Sequence, residues 1–100
     1  MEGHAVISHD VLAAYAADAA REVEGVQGLV DGPRRQHGVR VDEADGAMGV
    51  ELHIAIQWGA AAPAVAAAVQ ARVAEYLART ARLPAVRVDV VVAGVASNGV

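Results

Sequence analysis

From Met48 to Trp58 the chain alternates without a break. Met48, Val50, Leu52, Ile54, Ile56 and Trp58 fall on one side, and Gly49, Glu51, His53, Ala55 and Gln57 on the other. A period of two sends successive side chains to opposite faces of a strand, so this segment predicts one face on a core and one toward solvent or a partner. A second alternation runs from Ala85 to Val95. It places Val86, Val88, Val90 and Val92 on one face and Arg87, Asp89, Val91, Ala93 and Val95 on the other. Val39-Arg40-Val41-Asp42 alternates more briefly and leads into Ala44-Asp45-Gly46, where Asp-Gly is a hairpin signal. Val26 to Val30 reads as a short strand, Asp31-Gly32-Pro33 as a turn, and Arg34 to Gly38 as a polar loop.

In two places the period lengthens to three and four. Between His9 and Glu24 the apolar stripe is Val11, Leu12, Tyr15, Ala16, Ala19, Ala20 and Val23. Ser8 stands where it caps such a helix, Asp10 sits near the positive end of its dipole, and Gly25 stops it. After Gly59, with Pro63 in the first turn, a second helix carries Val65, Val69, Val73, Tyr76, Leu77 and Thr80 on one side. Arg72, Glu75 and Arg79 lie on the other, with Glu75–Arg79 an i,i+4 pair, and Leu83-Pro84 closes the element. The order α-β-β-β-α-β predicts a two-layer α+β fold, with two helices packed on one face of a small mixed sheet. Residues 1–95 read as one domain and 96–100 as a frayed tail.

Composition narrows what such a fold does. Hydrophobic residues make up 55% of the 100 residues, but the aromatics are only Tyr15, Trp58 and Tyr76, so the core is built from small and β-branched side chains. That hydrophobicity and a net charge of −4 exclude a disordered chain. The absence of cysteine removes disulfides, thiolate chemistry and cysteine-ligated zinc. No basic stretch precedes an apolar run at the start, so no secretory leader is expected. The alanine-rich run from Trp58 to Ala71 is too short to span a bilayer, so no direct membrane insertion is expected. Residues 1–50 carry nine acids against four arginines, a balance that disfavours a broad phosphate-backbone footprint.

Val23-Glu24-Gly25-Val26-Gln27-Gly28-Leu29 followed by Gly38-Val39-Arg40-Val41 resembles the alkaline shock protein family, also called the Gls-type envelope stress response family. Ile7-Ser8-His9-Asp10-Val11-Leu12 and Ala19-Ala20-Arg21-Glu22-Val23 are similar to its first helix. Ile54-Ala55-Ile56-Gln57-Trp58-Gly59, then Pro63 to Gln70, resembles its strand–glycine–proline–helix passage, and Val86 to Val90 with Gly94-Val95 its ending. The likeness covers Gly3 to Val95, in order and spacing. It implies a compact α/β domain without enzymatic activity or cofactor, linked to the bacterial cell envelope and stress. It further implies a cytoplasmic protein that self-associates or is recruited to the inner face of the membrane by a membrane-anchored partner. The second helix departs from the family in being alanine-rich.

Chemistry-bearing residues are few. His4, His9, His37 and His53 share no helix face at i,i+4, and the acidic turn Asp42, Glu43, Asp45 lacks the spacing of a calcium loop, so no metal site is expected. Ser8 is used as a cap, and neither Ser8 nor Ser97 has a motif that positions a histidine base. Glu51 and His53 lie on one strand face about 7 Å apart, slightly far for direct proton transfer, so a solvated strand face is expected there rather than a catalytic pair. Gly25-Val26-Gln27-Gly28 has the spacing of a KH-type backbone clamp, but acidic Glu22 and Glu24 flank it. That alternative, a small KH-like nucleic-acid-binding module, would also use the loop cluster Arg34, Arg35, His37 and Arg40, which is the second candidate site for an anion or partner. The first candidate is a protein-interaction face: Val91, Ala93, Val95 and Ala55 as an apolar strip among Glu51, His53, Gln57, Arg87 and Asp89, if the two long strands adjoin. An exposed sheet edge would offer strand addition as another route. The expected function is therefore non-enzymatic protein binding.

Overall fold

A computed structural model describes residues 8–83 and 85–96. The start of the chain with His4, Pro84 of the turn after the second helix, and Ser97 with the rest of the expected tail lie outside the described residues. The elements are α1 (His9–Arg21), β1 (Val26–Leu29), β2 (Val39–Ala44), β3 (Ala47–Ile56), α2 (Ala62–Thr80) and β4 (Arg87–Val95), in the predicted order.

Ser8 Oγ accepts from the Val11 N–H at 3.1 Å and starts α1 as expected. The helix ends at Arg21, short of the expected Glu24, because the Glu22 and Val23 N–H groups bond the Ala19 and Ala20 carbonyls three residues back and the chain then turns through Gly25 at φ 98. Gly25 is needed for space as well, since a Cβ there would stand 2.7 Å from Val65 Cγ2 on α2. The buried stripe of α1 is Leu12, Ala13, Ala16, Ala17, Ala19 and Ala20, while Val11, expected in it, is exposed. With methyl groups on this side the helix lies close to the sheet, which is how a chain poor in aromatics still closes its core. α2 buries Val65, Val69, Val73 and Leu77, and Thr80 of the expected stripe is exposed. Tyr15 and Tyr76 meet edge to face, 6.2 Å between ring centres, where the helices adjoin. Arg72 reaches across to Glu22 at the end of α1 and pairs with Glu75 at 3.5 Å, in place of the expected Glu75–Arg79 pair.

β3 is the centre of the sheet and has three partners on two edges. β4 runs parallel along one edge, with α2 as the crossover. Along the other edge β2 pairs antiparallel with the first part of β3, from Ala44↔Ala47 to Val39↔Leu52, and β1 with its end, from Leu29↔Ile54 to Val26↔Ile56. Between them the His53 backbone closes the gap: its N–H donates to the Gly38 carbonyl at 2.9 Å and its carbonyl accepts from the Val30 N–H at 2.8 Å. The β2–β3 hairpin turns on Asp45 and Gly46, both at positive φ (54 and 79), as the Asp-Gly signal requires.

Val50, Leu52, Ile54 and Ile56 are at most 3% exposed and meet the helices. The strand stops at Ile56, so Trp58 is not part of this row and stands 63% exposed in the turn that follows. There the Gln57 N–H is drawn to the Gly25 carbonyl at 2.8 Å. β4 pairs Ile54 with Val92 and then Ala55 with Gly94, so Ala93 is one extra residue, a bulge. Beyond it the facing reverses: Val95 pairs with Ile56 and belongs to the helix side, not to the open face on which alternation places it.

Candidate interaction surface

The helices cover only one face of the sheet. On the other, the alternation of β3 presents Gly49, Glu51, His53 and Ala55, and the register brings the neighbours beside them. From β4 come Arg87 beside Gly49, Asp89 beside Glu51, Val91 beside His53 and Gly94 beside Ala55. From β2 come Arg40 beside Glu51 and Asp42 beside Gly49, and from β1 Gly28 beside Ala55. The two long strands do adjoin, and the predicted face residues Glu51, His53, Ala55, Arg87, Asp89 and Val91 share one surface, with Ala93 exposed at the bulge.

A chain of ion pairs and hydrogen bonds crosses this surface. Arg87 Nε bonds Asp89 Oδ2 at 3.0 Å, and its Nη2 bonds Asp42 Oδ1 at 3.0 Å. Arg40 Nη2 lies 3.5 Å from Asp42 Oδ2, and its Nε lies 3.2 Å from Glu51 Oε1. The second Glu51 oxygen is 3.2 Å from His53 Nε2, which is 3.4 Å from Arg35 Nη1. The Glu51 and His53 side chains thus lean into direct contact, closer than the spacing of their backbones along the strand suggests. Hydrogen bonds to Asp42 first, and to Asp89 second, raise the Arg87 guanidinium above its ordinary pKa. Each exposed pair contributes little, about 0–1 kcal/mol. Their consequence is electrostatic: Arg35, Arg40 and Arg87 stand against Asp42, Glu51 and Asp89, so the face offers no unbalanced charge to a polyanion.

Glycines seat two of the arginines. Any Cβ on Gly49 would collide with the Arg87 guanidinium, and any Cβ on Gly32 with that of Arg35. At the other end of the face Gly28, Ala55 and Gly94 lie in one row across three strands, and no described residue comes within 4 Å of a Cβ built on either glycine. Bare backbone therefore adjoins Val91, which is 37% exposed.

The predicted loop cluster divides. Arg35 and Arg40 join the open face. Arg34, at φ 63, lines a cavity of about 140 Å³ on the helix side with His9, Ala13, Gln36, Val39 and Val41. His37, at φ 58, is exposed on the turn before Gly38. Asp31 organises the loop: its Oδ1 accepts from the Gly32 and Gly38 N–H groups at 3.0 and 3.2 Å, and these bonds hold its carboxyl below the ordinary aspartate value. Gly25-x-x-Gly28 is not a free clamp, because Gly25 packs against Val65 and Gly28 lies within β1. The strand edge is also restricted. Gln70 of α2 donates to the Val88 carbonyl at 2.8 Å, and the Ala93 bulge interrupts the ladder beyond it.

The alternation pattern leaves Asp42 off the face and Arg40 in the loop cluster alone. Both are within reach of a register argument: a two-residue turn at Asp45-Gly46 pairs Ala44 with Ala47, and counting back sets Asp42 beside Gly49 and Arg40 beside Glu51. Arg35 arrives through loop geometry, for which the sequence has no periodic signal.

Among the described residues no group of three or more His, Asp or Glu side chains is placed to hold a metal ion, and no helix is long and apolar enough to cross a membrane. Solved structures share the fold. A MamM CTD with a histidine-to-alanine substitution superposes at a TM-score of 0.61 with 17% identity, covering 90% of this chain and 100% of that one. The copper form of the MamM CTD gives 0.60 and 18%, covering 92% and 90%. The cadmium form of an aspartate variant gives 0.58 and 20%, covering 83% and 95%. At these identities the likeness is one of fold. No curated protein matches the chain. Residues 1–97 match the alkaline shock protein family, described by a cell envelope-related function and not by a reaction, and the chain belongs to that family.

Proposed function

We propose that this chain is a non-enzymatic docking protein of the cell envelope that binds a second protein, its own copy or a membrane-anchored partner, through the open face of its sheet. The observation that carries the reading is the asymmetry of β3. The helices seal the β3 residues on one face, although Val92 and Val95 of β4 on that side stay 36% and 57% exposed, and the other face leaves Val91, Ala93 and Ala55 beside bare backbone, within a set of charges already matched to one another. Apolar surface bordered by matched charges suits a folded protein partner better than a polyanion. The family's envelope-related description agrees with such a role. Recruitment to the inner face of the membrane would then come through the partner.

A photo-cross-linking residue tests the face in living cells. Placed at Ala93, it is expected to form discrete protein adducts; placed at Ala68, exposed on α2, it is not. Adducts from position 68 with none from position 93 would overturn the assignment of the face.

A further inference from the structure

His53 Nε2 faces two groups that make opposite demands on it. Arg35 Nη1, 3.4 Å away, only donates, and Glu51 Oε2, 3.2 Å away, only accepts. A bare nitrogen satisfies Arg35 and leaves Glu51 without a bond from the ring. A protonated nitrogen satisfies Glu51 and turns a like charge toward the guanidinium. One ring nitrogen cannot do both at once.

Arg35 is held lightly. Its Nη2 donates to the Asp31 carbonyl at 3.2 Å, and its Nε is buried without a hydrogen-bond partner among the described residues. Its docked position also depends on the empty space above Gly32. The surroundings of the imidazole are mixed in charge. Glu51 comes from its own strand, Arg40 from β2 through Glu51, and Asp89 from β4 beside Glu51. Arg35 comes from the loop, where it and His37 lie near Asp31. His53 keeps 17% of its side chain accessible, enough for a proton to enter from solvent.

We propose that Arg35, His53 and Glu51 form a two-position latch on the loop at residues 31–37. With the ring neutral and its proton on Nδ1, Arg35 stays down over Gly32. When a solvent proton binds Nε2, the ring donates to Glu51, Arg35 leaves, and the loop loses its tie to the open face. Val91 pairs beside His53, so the same proton sets a positive charge next to the apolar strip. Protonation therefore weakens docking. As regulation this rests on the proposed docking role of the face; the loop movement itself does not.

Nuclear magnetic resonance of the full chain, titrated between about pH 5 and pH 8 where histidines change charge, reads the latch. The Arg35 Nε–H and the Gly32 and Gly38 amides are expected to shift with the same midpoint as the His53 ring, whose nitrogen shifts report the Nδ1–H tautomer at high pH. In H53Q those shifts vanish. In G32A the loop signals start at their low-pH positions while His53 still titrates. Loop shifts that persist in H53Q would place the cause at His37 and overturn the latch, as would loop signals that ignore the His53 midpoint. Partner binding is expected to be weaker at about pH 5.5 than at about pH 7.5 in wild type and insensitive in H53Q. A loop that moves without changing binding refutes the regulatory role alone, whereas binding indifferent to V91E refutes the docking role and leaves the latch standing.

Discussion

On its helix side β3 contributes Val50, Leu52, Ile54 and Ile56, all at most 3% exposed. On its open side the same strand contributes Gly49, Glu51, His53 and Ala55, which meet arginines, carboxylates and a valine but, among the described residues, no second layer. The first face is held by burial, which is non-directional and scales with area. The second is held by directed contacts among partly exposed groups, each worth little in water. The two faces therefore answer substitution differently. Changes on the helix side register as lost stability, and changes on the open side as altered recognition in a protein that stays folded.

The largest effect is expected on the closed side. Leu52 is fully buried, and Leu52→Ala should cost about 2–5 kcal/mol of unfolding free energy, read by urea denaturation, with partner binding per folded molecule unchanged. A smaller loss, about 1–3 kcal/mol, is expected for Gly25→Ala, which forces an L-residue to φ 98 and a methyl against Val65. Equal stability of G25A and wild type would show that α1 and α2 can separate at no cost.

The sequence is legible where one physical rule governs a run of residues. Alternation along β3 identifies its buried face, and the Asp-Gly turn carries enough information to set the β2 register. Alternation fails at Ala93 and Trp58, because a bulge and the pull of Gly25 on Gln57 come from the parallel partner and the chain passage, not from local pattern. The stripe of α1 is harder to place because alanine sits equally well on a buried or an exposed helix face, so Ala13 and Ala17 leave no contrast to read. The open face is legible as a set of residues. What ties it to the loop is not, since Arg35 reaches it only through the fold of residues 31–37.

Acid should separate the faces next. Asp31 has its folded-state pKa depressed by the Gly32 and Gly38 N–H groups. Its contribution is present above the unfolded value of 3.8 and is lost as pH falls through the folded value. Hydrogen exchange is expected to quicken at Gly38 in that range before it does in the helix-covered core, and Asp31→Ala should remove the difference. The smallest expected effect is on nucleic acid. The balanced charges of the open face predict no binding of single-stranded RNA even at about 50 mM salt, where electrostatic contacts are strongest.

The open face, and not exposed apolar surface in general, is proposed to do the docking. Val91 on that face is 37% exposed and Val11 on α1 is 41% exposed, so they form a matched pair. Sedimentation velocity of wild type, V91E and V11E, each with capture of cross-linked partners, compares them directly. V91E is expected to lose the assembly or partner that wild type and V11E retain, with all three unfolding within about 0.5 kcal/mol of one another. Identical sedimentation and capture for V91E and wild type, or an equal loss in V11E, would contradict it.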